Sequence, residues 1–205
     1  MPHVLYIDSS YSGAYSTSRL LSQEFMTAWS KLHPDSIIMY RDLIKQPVPY
    51  IDETWVKAMD LLPNQYSLEQ QQAMKESEMI LEQFLSADCY LFAVPMYGFT
   101  VPGAFKVYIE HLIRPGRTYT IDENGLRGLV EPTKKMLVIT SRGADYSKNS
   151  EFASFDFHEP YLRTIFGSFG INNIEFVYVN NLALGDREKS ISHAKESILQ
   201  IAQYW

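Results

Sequence analysis

The sequence predicts an α/β fold of the doubly wound type, with one five-stranded parallel sheet and helices on both of its faces. Two observations carry this. The runs VLYI, SIIMY, CYLFAV, KMLVIT and IEFVYV are continuously apolar rather than alternating, which marks strands covered on both faces. Stretches with helical spacing separate them, and alternating strands and helices build a parallel sheet. Five strands suit the doubly wound order better than a closed barrel, which needs about eight.

Residues 4–7, VLYI, run into Asp8-Ser9-Ser10 and form the first strand. From Ser18 onward, Leu21, Phe25, Ala28, Trp29 and Leu32 recur at helical spacing, so a helix follows. SIIMY (36–40) is the second strand. DETWVKAMDLL (52–62) suggests a short helix. SLEQQQAMKESEMILEQFLSA (67–87) suggests a long amphipathic one, with Ser67 and Gln70 at capping-box spacing. CYLFAV (89–94) is the third strand. VPGAFKVYIEHLI (101–113) follows as a helix, with Pro102 near its start and Arg114-Pro115-Gly116 stopping it. KMLVIT (135–140) is the fourth strand, and another helix lies around EPYLRTIFGSF (159–169). IEFVYV (174–179) is the fifth, and a last helix runs from about Asp186 to Tyr204. This is the flavodoxin-like arrangement, in which ligands bind beyond the carboxyl ends of the strands at the topological switch point.

The 205 residues are expected to form one domain, 1–205, since no repeat, low-complexity tract or linker divides them. A net charge of -6 and the lack of a basic stripe argue against a nucleic-acid partner. The one cysteine, Cys89, rules out an internal disulfide and suits a reducing compartment. MPHVLYIDSS has no basic segment followed by a long apolar stretch, and no apolar run approaches the roughly 20 residues of a membrane span. A cytoplasmic location is the expectation, with no membrane partner.

Three strand tips face the expected cleft. The first, SSYSGAYSTS (9–18), holds Ser9, Ser10, Ser12, Ser16, Thr17 and Ser18 just before a helix. Hydroxyls and free amides at a helix N-terminus make an anion site without a lysine. The competing reading is a serine-rich turn with a single N-cap. The loop has neither the Walker pattern nor GxGxxG, so a phosphate monoester is the best ligand. The second tip, Pro95 to Phe99, offers aromatic rings and backbone amides but no ionisable acid or base. It either walls a flat heteroaromatic ring or packs as core. The third, Ser141-Arg142-Gly143-Ala144, lets backbone N–H groups approach a ligand edge, or is an ordinary turn. Together, a phosphate cradle and two backbone-rich walls describe a mononucleotide with a planar head, FMN, which would carry the reactive chemistry itself.

With PMYGF and TSRGA at this separation, and the serine loop before them, the chain resembles the FMN-dependent NADH:azoreductase and quinone reductase family. The resemblance runs nearly end to end, including PGRTYTIDENG and GLVEPTKKMLVITSRGA. It implies a flavodoxin-like homodimer that takes hydride from NADH or NADPH and reduces quinone or azo acceptors in two-electron, ping-pong turnover. By position, Ser10 and Ser16-Thr17-Ser18 would hold the FMN phosphate. Met96-Tyr97-Gly98-Phe99 and Ser141-Arg142-Gly143-Ala144 would line the isoalloxazine. Tyr119 and Ile121 are candidates for the substrate side, with core packing as the alternative for both. Two positions depart from the family's pattern: Gly98 stands where it commonly has Asn, and Ala144 where it commonly has a second Gly.

Two rival readings belong to other classes. A flavodoxin-like electron carrier or flavin-binding regulatory module would bind FMN without turnover, but it has no need of a long loop such as Arg117 to Glu131 over a substrate. A hydrolase would need a base or metal cluster. The histidines His3, His33, His111, His158 and His193 form no HxxxH or HExxH pattern. FGSFG (166–170) is not a G-x-S-x-G elbow.

Overall fold

The structure is a computed structural model that describes residues 1–59 and 61–205. Its core is one parallel sheet of β1 (His3–Asp8), β2 (Ile37–Asp42), β3 (Cys89–Ala93), β6 (Lys135–Ser141) and β7 (Asn173–Val179), in the order β2-β1-β3-β6-β7. The remaining strands, β4 (Tyr119–Asp122) and β5 (Gly125–Gly128), form a separate antiparallel hairpin. The helices are α1 (Thr17–Leu32), α2 (Glu53–Met59), α3 (Leu68–Ser86), α4 (Gly103–Leu112), α5 (His158–Phe169) and α6 (Arg187–Ile201).

Side chains alternate across each buried strand, and the two faces therefore build two cores. Val4, Leu91, Leu137 and Val177 meet Leu21, Phe25 and Trp29 of α1 and Ile198 of α6. Leu5, Ile7, Tyr90, Phe92 and Val138 meet Phe84 of α3, Phe105 and Tyr108 of α4, and Phe166 of α5. The chain winds outward in both directions from β1 and β3, so the switch point lies between their carboxyl ends. There Asp8 pairs with Ala93, leaving the two strand ends level.

Most expected elements form at or within a residue or two of their expected bounds. The Ser67–Gln70 capping box is present, with Ser67 Oγ accepting from Gln70 N and Gln70 Oε1 accepting from Ser67 N. Four details differ. The second strand runs 37–42 rather than 36–40, because it pairs residue by residue with the whole of β1. It is also an edge strand, and Ile37, Ile38 and Tyr40 are exposed rather than covered. Leu32 closes α1 at its open end and is exposed, off the apolar stripe it was expected to join. The short helix ends at Met59, and Asp60, within its expected span, lies outside the described residues.

The largest difference is the hairpin. Residues 117–131, expected as a loop, contain β4 and β5 joined through Glu123-Asn124, with Gly125 closing the turn. The hairpin docks on the end of α5, where Val130 donates to the Phe169 carbonyl. A Cβ on Gly128 would lie 2.2 Å from Phe169 backbone, so only glycine permits this approach. Arg114 and Arg117, at the base of the hairpin, pair with Glu78 and Glu82 of α3.

Candidate functional site

The three strand tips meet at the switch point. Ser9 ties the first to the second: its N–H and its hydroxyl both donate to the Ala93 carbonyl, at 3.2 and 2.9 Å. Met96 N–H donates to the Ser141 carbonyl at 3.0 Å and ties the second to the third. Sequence reasoning expected these segments to lie together, and backbone hydrogen bonds join them.

The serine loop ends in an N-cap. Ser16 Oγ accepts from Arg19 N–H at 3.3 Å and lies 3.2 Å from Ser18 Oγ. Thr17 and Ser18 fill the first two positions of α1, where N–H groups have no intrahelical acceptor. Ser10, Ser16 and Ser18 are buried, so their hydroxyls are held rather than waving in solvent. The first turn of α1 is fixed from behind by Arg19, which reaches Asp42 at 2.6 Å and Asp8 at 3.3 Å. Burial raises the Asp8 carboxyl, against the hydrogen bond from Tyr40 and the charge of Arg19. The result is a buried, hydroxyl-rich helix start in a loop that carries no lysine.

At the second tip, Tyr97 and Thr100 exchange both backbone hydrogen bonds at 2.9 and 3.1 Å, closing a two-residue turn. Its central residues, Gly98 and Phe99, have φ of 54° and 68°, as a type I′ turn requires. Glycine takes this conformation freely, so Gly98 suits the turn. Phe99 is strained there, and two contacts hold it: Phe157 N–H donates to its carbonyl at 3.1 Å, and its ring packs on Phe155 at 5.3 Å. Tyr97 turns its hydroxyl into the serine loop, 3.0 Å from Ser10 Oγ and 3.3 Å from Ser12 Oγ. Its ring stacks on Tyr11 at 5.4 Å, and the Tyr11 hydroxyl accepts from Ala104 N–H at the start of α4.

At the third tip, the Gly143 carbonyl accepts from Ala183 and Leu184, and the Ala144 carbonyl from Asn181. Among the described residues no backbone acceptor takes the N–H of Gly143 or Ala144. The Arg142 side chain turns inward. It is buried, pairs with Asp156 at 3.0 Å, and lies over the Tyr178 ring at 4.7 Å. Only the backbone of Arg142 stays at the tip.

His111, Cys89 and His158 fall into place as packing. His111 is buried and hydrogen-bonded to the Pro49 carbonyl at 2.8 Å, and burial lowers its pKa. Burial pushes the Cys89 thiol up to about 11. His158, at the start of α5, has its ring on the Val94 carbonyl at 3.1 Å; burial first, and Arg142 second, push its pKa down to about 3. Tyr119 packs partly against the core, whereas Ile121 stands exposed on the hairpin. Sequence reasoning did not assign Tyr11, Ser12 or Asp156 to the site. Tyr11 and Ser12 sit inside the serine loop, where their position was the available signal. Nothing in the pattern around Asp156 pointed to its contact with Arg142.

A doubly wound sheet whose switch point gathers a hydroxyl-rich helix start and two loop tips is an arrangement that accommodates a mononucleotide. A family model described as a flavodoxin-like fold matches residues 2–202, and the chain belongs to the flavodoxin-like family of FMN-dependent NADH:quinone oxidoreductases and azoreductases. It is 42% identical to FMN-dependent NADH:quinone oxidoreductase 2 of Trichormus variabilis, and 44% identical to FMN-dependent NADH:quinone oxidoreductase of Nostoc punctiforme, each alignment covering both chains fully. Among solved structures, an azoreductase from Bacillus anthracis superposes with a TM-score of 0.92 at 26% identity, over all of both chains. Among the described residues, no helix is long and apolar enough to cross a membrane.

Proposed function

We propose that the chain is an FMN-dependent NADH:quinone oxidoreductase that also reduces azo compounds. One observation carries the reading: a hydroxyl-rich helix start meets two strand tips at a single switch point, and among the described residues no backbone acceptor takes the N–H of Gly98, Phe99, Gly143 or Ala144. The residues fit FMN. Ser10, Ser16, Thr17 and Ser18 would hold its phosphate, with the N–H groups of Thr17 and Ser18 as donors. The Tyr97 hydroxyl, lying between Ser10 and Ser12, belongs with that phosphate end. Met96, the Tyr97 backbone, Gly98 and Phe99 would lie along the isoalloxazine, with Ser141, the Arg142 backbone, Gly143 and Ala144 along its other edge.

Bound FMN supplies the two-electron hydride chemistry that none of these side chains can supply. The protein's part is to orient the ring, exclude water and stabilise charge. The N–H groups of Gly143 and Ala144 are our candidates for donors to negative charge on the flavin edge, where preorganised dipoles act without reorganising. NADH, named in the relatives, is the proposed hydride donor, with NADPH as the alternative. Tyr119 and Ile121 are proposed for the substrate side.

We further propose that residues 1–205 form one FMN-binding domain, that it works in the cytoplasm, and that two copies pair. The exposed Ile121 and Leu126 on the hairpin support pairing there, as an apolar tip that a partner would cover. Donor and acceptor are both flat and would use the same face in turn. Initial rates should therefore give parallel double-reciprocal lines as NADH and quinone are varied. Intersecting lines would show donor and acceptor bound together and contradict the shared face.

A further inference from the structure

We infer that Asp156 is a positioning residue that locks the two walls of the flavin ring to one another. The inference rests on the FMN reading above. The two walls extend from neighbouring strands, β3 and β6, whose ladder reaches Ala93 and Ile139. Beyond the Val94 N–H bond to the Ile139 carbonyl, one backbone hydrogen bond, Met96 to Ser141, joins the tips directly, and residues 155–158, leading into α5, add a second connection. Asp156 divides its carboxylate between two tasks. Oδ1 accepts from His158 N–H at 3.0 Å and Glu159 N–H at 3.1 Å, which caps the helix. Oδ2 accepts from Arg142 Nη1 at 3.0 Å, reaching the wall on β6.

With the helix start so held, its neighbours grip the other wall. Phe157 N–H donates to the Phe99 carbonyl, the Phe155 ring packs on the Phe99 ring, and the His158 ring bonds to the Val94 carbonyl. Phe99 needs such a grip, since its φ of 68° is unfavourable for a side-chain-bearing residue. A residue serving only as a helix cap needs one oxygen. The second oxygen, spent on a buried arginine within the Ser141–Ala144 tip, is what makes Asp156 a brace between walls. The contacts of Asp156 are with Arg142 and the start of α5, so its effect on the ring would pass through the backbone of Arg142, Gly143 and Phe99.

The test compares FMN-loaded wild type with Asp156→Asn, which keeps a capping oxygen and loses the charge. Three readouts are taken: FMN affinity in both redox states, the visible spectrum of the bound flavin, and the unfolding midpoint of the apoprotein. If Asp156 aligns the Gly143 and Ala144 donors, the variant should bind reduced FMN less well relative to oxidised FMN. A tenfold fall in that ratio lowers the two-electron potential by about 30 mV. The flavin band should shift with it. Because Asp156→Asn leaves Arg142 buried without a counter-charge, the double variant Arg142→Leu/Asp156→Asn serves as the second arm. It removes both charges and keeps the cap, so stability should recover while the displaced potential and spectrum persist. Unchanged potential and spectrum in both variants, with only the unfolding midpoint lowered, would reduce Asp156 to a helix cap and overturn the inference. Wild type that binds no FMN would instead remove the FMN reading and the inference together.

Discussion

Gly98 and Phe99 show how one turn decides what a position tolerates. Both have left-handed φ, so the glycine that departs from the family's asparagine is well matched to the backbone rather than a defect. The sequence carried the aromatic tip and the serine loop plainly, because hydroxyls before a helix and an acid-free strand end are both readable as residue types. It could not show that Arg142 turns inward, since a charged residue in a turn ordinarily faces water and only the fold reveals Asp156 beneath it. Two predictions belong to single residues. Replacing Ser16 and Ser18 together by alanine should weaken FMN binding by about 1–3 kcal/mol, since each hydrogen bond is worth ~0.5–1.5 and more when it meets a charged phosphate. Equilibrium titration of the apoprotein with FMN checks this, and unchanged affinity would remove the phosphate assignment. His158 sets a pH dependence. Its folded pKa of about 3 lies below the ordinary histidine value, so between the two the unfolded chain binds more protons. Stability therefore rises with pH across that window and is lost on acidification, by up to about 1.4 kcal/mol per pH unit. Urea unfolding between about pH 4 and about pH 7 should show a slope of this sign, and His158→Gln should make it shallower, leaving the part due to His111, whose pKa burial also lowers.

The elements differ in how legible they were, and the reason is burial. β3 and β6 are covered on both faces, so their apolar runs stand out. β2 sits at the sheet edge with Ile37 and Ile38 in the open, and its extent depends on pairing with β1 that no local pattern encodes. The β4–β5 hairpin has one half-buried strand and one exposed one, so its alternation is diluted by Asp122, Glu123 and Arg127. Asn124-Gly125 was its available turn signal. The long helix α3, by contrast, announced its own start. Ser67→Ala removes the hydroxyl that accepts from Gln70 N–H, and should cost about 1 kcal/mol. Chemical denaturation should show that loss with FMN affinity unchanged, because α3 packs on the opposite face of the sheet from α1, which the serine loop caps. A loss of FMN binding instead would mean that α3 carries strain into the cleft.

At the scale of the molecule, the two cores use most of the apolar side chains, yet Ile121 and Leu126 remain exposed on a hairpin braced against α3 by Arg114 and Arg117. A tip so rigidly held and so apolar is suited to a second copy. Light scattering of the FMN-loaded protein should give twice the 23.7 kDa chain mass, and Ile121→Asp should shift it toward the monomer. A fully active monomer would contradict the pairing.

The central claim is that three strand tips hold one FMN for hydride transfer, and an anaerobic absorbance titration tests it most directly. The purified protein should show the visible flavin band at one FMN per chain. NADH should bleach that band mole for mole, and a quinone added afterwards should restore it. A colourless protein that takes up no FMN, or a bound flavin that NADH leaves oxidised, would contradict the account.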